Sequence, residues 1–494
     1  MVPEKERTSA CWVRTKLSAL AAAALVTGLG CGDTTPDLSP HSSATEPLVT
    51  AVDIRRSLVV TEVSMLEGFS LERVLGQLAA QSGVPGLTPK KLFQQWWDIF
   101  NPKPGLGLGP HCDDQVDASL GPVLNGFPFT CRPAPSEGAQ ANCNPFAAGS
   151  SCAYIPIGLF NRFDLAPENG AFCGEYRIVY AKASGVLLTD DRNLLIFEAA
   201  MPNPLPLLGL EGCRPVAQFW ANLTNVNAPE IRANLLEGFY FNGLLGIPSF
   251  PPVIHIANFG DNAAGRGQIR SNQFSNFINP KMWSLREFKL KRSCGLLACS
   301  SMRLSPVTVK NNPYGPLFDP ALVHAKASAF QAFFPGQLGN LSGSTLPTIN
   351  FEVPDSYNSA QSQASGLENS YVTHFGLLSG ALRSALSTAL ASAGSTLTPD
   401  NVVARAQAVS CAGCHRLSNN ADLGDGISWP PSLGFTHVTE RETEVVDGET
   451  RYVLSDALAN HFLPHRKEVL DAYLDHNLVL ALLNLHPIGG FLTH

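Results

Sequence analysis

The chain has 494 residues, 45% hydrophobic and 15% charged, with a formal net charge of −7. That weak acidity leaves no basic footprint for nucleic acid, and the apolar content excludes a disordered chain. The length exceeds what one ordinary core requires, so two or three domains are expected.

Lys5, Arg7, Arg14 and Lys16 make a basic lead, and Leu17 to Val26 form a short apolar run. The run is too short to cross a bilayer and has the build of an export signal. Gly28-Leu29-Gly30-Cys31 follows. It resembles the lipobox of bacterial lipoproteins, which implies lipidation of Cys31 and a membrane-anchored protein, periplasmic or at the outer membrane or cell surface. Gly28 stands where that box usually carries leucine, so cleavage and release is the alternative. Residues 32–49 are rich in Thr, Ser and Pro and read as a flexible tether. No later run of eighteen apolar residues exists to span a membrane.

Residues 50–340 read as a loop-rich α/β domain. Ser70 caps a predicted helix over 71–81, and Thr88-Pro89 opens a second through Trp96 and Trp97. Residues 104–155 are dense in Gly, Pro and Cys. Glu175 to Ala183 and Arg192 to Ala200 read as a strand hairpin, and Pro229 to Tyr240 as a helix. Val253 to Phe259, Trp283 to Lys291 and Met302 to Lys310 read as further strands, giving an antiparallel sheet with helices around it. Pro320 to Phe334 and Tyr371 to Ala393 read as helices, and 341–395 as a helical connection.

Cysteine usage agrees with export. Apart from Cys11, Cys31, Cys411 and Cys414, eight remain, an even number that suggests four disulfides in an oxidising compartment. The sequence leaves the pairing open. Cys112–Cys131, Cys143–Cys152, Cys173–Cys213 and Cys294–Cys299 are the working pairs. One polar cluster stands out: Asn161, Arg162 and Asp164, then Glu175, Arg177 and Glu198. It marks either a binding site or a paired structural network. No P-loop, dinucleotide fingerprint, nucleophile elbow or zinc-protease helix is present.

Residues 396–494 carry the chemistry. Thr398, Pro399 and Asp400 open a helix that runs into Cys411-Ala412-Gly413-Cys414-His415. This Cys-x-x-Cys-His spacing places two thiols for thioether bonds to one haem and a histidine beneath the ring as iron ligand. The alternatives are a disulfide, a dithiol redox pair, or half of a zinc site. Trp429-Pro430-Pro431 follows, with Leu433 and Phe435. Val438 to Leu454, with Asp447-Gly448, reads as a charged hairpin. Ser455 caps a last helix with Tyr473 and Leu474 on its apolar face, interrupted by Pro464.

Helix, haem motif, prolyl loop and Tyr-Leu helix together resemble a class I c-type cytochrome over this last fifth of the chain. The resemblance implies one covalent haem c on Cys411 and Cys414, with His415 bound to iron. It also implies that a carbonyl of Pro430 or Pro431 accepts the His415 Nδ1–H, and that Trp429, Leu433 and Phe435 wall the haem edge. The hairpin is an insertion in that pattern. No methionine follows the motif, so the sixth ligand is expected to be His437, with His461 and His465 as alternatives.

The expected class is thus α+β and multidomain: a disulfide-bearing mixed α/β domain plus a small, mostly helical cytochrome c-like domain. The expected role is one-electron transfer with an unknown redox partner. The alternatives are a non-redox binding or structural lipoprotein with Cys411–Cys414 as a disulfide, and a single-haem oxidoreductase.

Overall fold

The computed structural model describes residues 51–97, 112–132, 134–246, 249–275, 282–296, 298–376 and 380–475. Cys31, the export signal and the tether lie outside them, and the described residues belong to one compact unit. Among the described residues no helix is long and apolar enough to cross a membrane.

The strands in chain order are β1 (Val59–Val60), β2 (Val116–Asp117), β3 (Gly121–Leu124), β4 (Phe127–Pro128), β5 (Tyr154–Arg162), β6 (Glu175–Lys182) and β7 (Asn193–Ala200). Then come β8 (Gln268–Ser275), β9 (Met282–Cys294), β10 (Cys299–Val307), β11 (Ser362–Gln363), β12 (Val438–Val446) and β13 (Glu449–Leu454). The main sheet is antiparallel in the order β1-β5-β6-β7-β8-β9-β10, and β11 adds to β9. β2-β3-β4 form a small separate sheet, and β12-β13 the expected hairpin. Asp447 and Gly448 both take positive φ (54° and 81°), as a tight two-residue turn requires.

The expected β6–β7 hairpin forms with Arg177 opposite Glu198. All four working disulfides form: Cys112–Cys131, Cys143–Cys152, Cys173–Cys213 and Cys294–Cys299. The helices Leu71–Gln81 and Pro89–Gln94 start where Ser70 and Thr88 accept backbone N–H groups of Arg73 and Lys91. Other expectations need correction. Val253 to Phe259 is no strand, because Pro251-Pro252 precede it and Asn258 Nδ2 bonds back to the carbonyls of Pro252 and Val253. The chain there forms a 3-10 turn, Ile256–Phe259, closed by Gly260 at φ 103°. The stretch 371–393 is broken by Gly376 (φ 61°) into Tyr371–Phe375 and Ala381–Ala393. Likewise the 320–334 helix begins only at Ala327.

Period-2 alternation gives the main sheet two unlike faces. Tyr176, Ile178 and Tyr180 point to one face and are fully buried. There Tyr176 stacks on Trp220 of helix Arg214–Asn222, and Tyr180 Oη donates to the Phe69 carbonyl at 2.7 Å. Glu175, Arg177 and Val179 point to the other face. The C-terminal segments cover that face, and one apolar core runs from Val52 through Phe330 and Val402 to Tyr473. The sequence segments 50–340, 341–395 and 396–475 therefore share a single core.

Candidate functional site

Helix Pro399–Ala408 delivers the Cys-x-x-Cys-His motif to the charged face of the sheet. It starts at a reciprocal capping box between Thr398 and Asn401. Its fully buried Arg405 donates to the carbonyls of Leu341, Gly343 and Leu423, tying it to two other segments. Past the helix the backbone widens into a π-type turn, Gly413–Leu417, closed by the Ser418 N–H on the Gly413 carbonyl. A side chain at Gly413 would put a Cβ 1.6 Å from the Gln407 carbonyl oxygen, so only glycine fits between the cysteines there. The Ala412 N–H donates to Ser362 Oγ at 2.8 Å, pinning the turn to β11.

Cys411, Cys414, His415 and His437 line one cavity of about 220 Å³. Phe160, Val179, Leu194 and Ile196 of the sheet form one wall. Val438, Leu458, Phe462 and Trp429 form the other, and four arginines (162, 177, 270 and 466) form a polar edge. Both thiols are free, although the other eight described cysteines are all bonded. Burial pushes Cys411 up to about 11 and Cys414 up to about 12. These thiols are protonated at neutral pH, unlike the low-pKa thiolate of a dithiol redox catalyst.

His415 is held from two sides. Its Nδ1 donates to the Phe435 carbonyl at 2.9 Å, and Ser432 Oγ donates to the His415 carbonyl at 2.5 Å. This corrects the expectation for the prolines. Pro430 is buried and Pro431 exposed, and neither carbonyl takes the histidine proton. The acceptor is Phe435, a non-glycine residue at φ 70°, where the turn from Ser432 aims the carbonyl at the ring. The sheet reinforces it: Asn272 Nδ2 of β8 donates to the same carbonyl at 3.2 Å, and Trp283 Nε1 of β9 donates to Asn272 Oδ1. The Trp283 ring lies 5.2 Å from the imidazole.

His437 Nδ1 pairs with Ser455 Oγ at 2.7 Å, and its Nε2 lies 3.1 Å from Cys414 Sγ. Burial pushes His415 down to about 4 and His437 down to about 3, so both imidazoles are neutral at pH 7. Their ring centres stand 5.0 Å apart. To bind a metal His437 would have to give up its Nε2 contact with Cys414 Sγ, whereas the Nε2 of His415 has no hydrogen-bond partner among the described residues. His461 and His465 sit off the cavity beside Asp456 and Glu468, at 3.7 and 3.6 Å. Of the three residues read as a wall, Trp429 lines the cavity, and Leu433 and Phe435 do not.

The charged cluster noticed in the sequence forms an ion-pair lattice along the polar edge. Arg162 binds Asp164 at 2.8 Å, and Arg177 binds Glu175 at 2.7 Å and Glu198 at 3.0 Å. Arg270 joins Glu198 to Glu287, and Arg466 approaches Asp164 at 3.8 Å. Sequence reading missed Arg270, Asn272, Trp283 and Arg466. Only the alternation of Arg270 and Asn272 within Gln-Ile-Arg-Ser-Asn-Gln hinted that polar residues share a strand face there.

The residues present fit a covalently held haem. Two protonated thiols, neither in a disulfide, line the same cavity as an imidazole whose Nδ1 is already bonded, leaving Nε2 as the free nitrogen. Arg466 is 8% exposed and makes no hydrogen bond among the described residues, which suits a group bearing carboxylates. At about 220 Å³ the cavity alone is smaller than most cofactor sites. It shares Cys411, Val409 and three arginines with a neighbouring chamber of about 660 Å³. No group of three or more His, Cys, Asp or Glu side chains is placed to hold a metal ion among the described residues.

No protein-family model matches the chain, and neither a curated protein nor a solved structure proved similar to it.

Proposed function

We propose that this is an exported haem c-binding protein that transfers single electrons. Cys411 and Cys414 are the thioether anchors, His415 is the iron ligand, and His437 is the second imidazole. The observation that carries this reading is the convergence of both free thiols and an Nδ1-bonded His415 on one apolar cavity. When bound, haem c supplies a one-electron iron couple. Phe435 and Asn272 fix the tautomer and tilt of His415, and the apolar walls exclude water. Arg466 and its neighbours offer cationic partners to the carboxylates of the group. The C-terminal segment supplies the attachment residues, and the α/β sheet supplies half of the pocket. Export and lipid anchoring through Cys31 rest on the sequence of residues 5–31.

The test is expression together with cytochrome c maturation machinery, followed by a haem stain on a denaturing gel. Retained stain with one haem per chain by reduced pyridine spectrum is expected. A mature protein without covalent haem sinks the reading. A single-haem oxidoreductase is the second reading, favoured by the large chamber against Cys411.

A further inference from the structure

We infer that the loop of residues 202–208 dips into the surface of a lipid bilayer. Its sequence is Pro-Asn-Pro-Leu-Pro-Leu-Leu, without a charge. Leu205, Leu207 and Leu208 are 38%, 99% and 53% exposed, and Pro202 and Pro206 are exposed beside them. Single exposed leucines are ordinary, but five exposed apolar side chains on seven residues mark an interaction surface. The loop is braced from beneath. Asn203 Nδ2 donates to the carbonyls of Gly170 and Gly209 at 2.7 and 2.8 Å, and its Oδ1 accepts the Leu205 N–H at 2.9 Å. Gly209 turns the chain at φ 58°, and Cys213, just past the loop, is bonded to Cys173. The leucines are thus displayed by a fixed backbone.

The described chain begins and ends beside this loop. Val52 donates its N–H to Asp471 Oδ1 at 3.2 Å, which roots the N-terminal end on helix Leu463–Asp475. Two residues on, Tyr473 Oη donates to the Leu210 carbonyl at 2.9 Å, and Arg214 Nη1 donates to the Leu474 carbonyl at 3.3 Å. Upstream of this root lie the tether and Cys31. A flexible coil as long as residues 32–49 spans roughly 20–25 Å. A lipid on Cys31 therefore keeps this end of the molecule near the membrane, at an effective concentration in the millimolar range. Insertion of a few leucines, weak by itself, is then populated. The choice of a bilayer as partner rests on the anchoring proposed above. Glu168 and Asp475, the exposed charges beside the loop and the helix end, are both acidic. The contact is thus with acyl chains and needs no anionic headgroup.

The test uses the matured holoprotein from residue 32 onward, mixed with phosphatidylcholine vesicles at millimolar lipid, which stands in for the tether. A nitroxide is attached at Leu207→Cys or, as a control, at Leu296→Cys. Leu296 is fully exposed at the β9–β10 tip, and β10 and β1 are opposite edges of the main sheet. On adding vesicles, the label at 207 should gain access to dissolved oxygen and lose access to aqueous chromium oxalate. The label at 296 should not change. Leu207→Asp combined with Leu208→Asp should lower the share of protein sedimenting with vesicles roughly tenfold or more, with haem content unchanged. The inference is overturned if the label at 207 does not respond, if both labels respond alike, or if only anionic vesicles bind. It is equally overturned if the label at 207 is shielded before lipid is added. In that case a second copy, or the apolar run Leu478 to Leu483 beyond the described helix, covers the loop. Mass spectrometry of the exported chain tests Cys31 separately. A chain without lipid there refutes the anchoring, while the loop is judged by its label.

Discussion

At His415 the decisive partner is a backbone carbonyl, and the chain spends a strained phenylalanine to aim it. His437 has a simpler environment, held by Ser455 and facing Cys414. In the matured protein, His437→Ala should move a six-coordinate absorption spectrum towards five-coordinate. An unchanged spectrum rejects that ligand. Behind the motif, Ser362 links Ala412 to a buried amide network that reaches Gln361 and Glu368. Burial raises the Glu368 carboxyl to about 8, only partly offset by Gln361 and Arg286. An acid raised in the fold favours its protonated form there. Its contribution is intact below the unfolded value near 4.5 and is lost as pH rises towards 8. Glu368→Gln should therefore gain stability over the parent between those limits, by up to a few kcal/mol at pH 8. Denaturant melts at pH 5 and pH 8 check this, and an equal difference at both rules it out. The motif itself was legible from spacing alone, because the covalent haem attachment proposed for it needs those residue types in that order. The Phe435 carbonyl was not, since any backbone offers one and only the turn decides which is aimed.

Among the elements, helix starts were the most readable. Ser70, Thr88, Thr398 and Ser455 each accept a backbone N–H at or near the first turn. Thr398→Ala should cost about 1 kcal/mol, measured by thermal or denaturant unfolding, with Thr398→Ser close to neutral. A loss below about 0.3 kcal/mol would mean the helix is held by Arg405 and packing alone. Pro464 was read as a break. The structure accommodates it by changing register: a π-helical stretch, Ala457–Phe462, passes into the α-helix Leu463–Asp475, with Pro464 in its first turn. Strands fared worse. β5 was hidden by Pro156 and Gly158, where its pairing with β6 shifts register, and β8 by its polar sequence. Both face charged neighbours across the ladder, so hydrophobic alternation is missing where the sheet builds the site.

For the whole molecule, one buried cation is among the ties between sheet and C-terminal segment. Arg192, at the start of β7, pairs with Glu440 of β12 at 2.8 Å and donates to the Leu433 carbonyl at 2.8 Å and to Thr439 Oγ1 at 3.1 Å. Both side chains of the pair are at most 1% exposed. Arg192→Met leaves Glu440 buried without its partner and should cost about 3–5 kcal/mol. Calorimetry should show one lowered transition, because the apolar core is continuous across the join. A separate unchanged transition for the C-terminal segment would show that it folds alone. The sequence by itself determined the local chemistry: cysteine spacing, caps, turns, disulfide-rich composition and the export-like leader. Each depends on residues a few positions apart, whose geometry the backbone dictates. Tertiary structure alone decided what surrounds the motif. Arg270, Asn272, Trp283 and Arg466 reach His415, or the cavity it lines, from segments about 50 to 145 residues away. Only the burial of the sheet's second face, which must be covered by something apolar, brings them together.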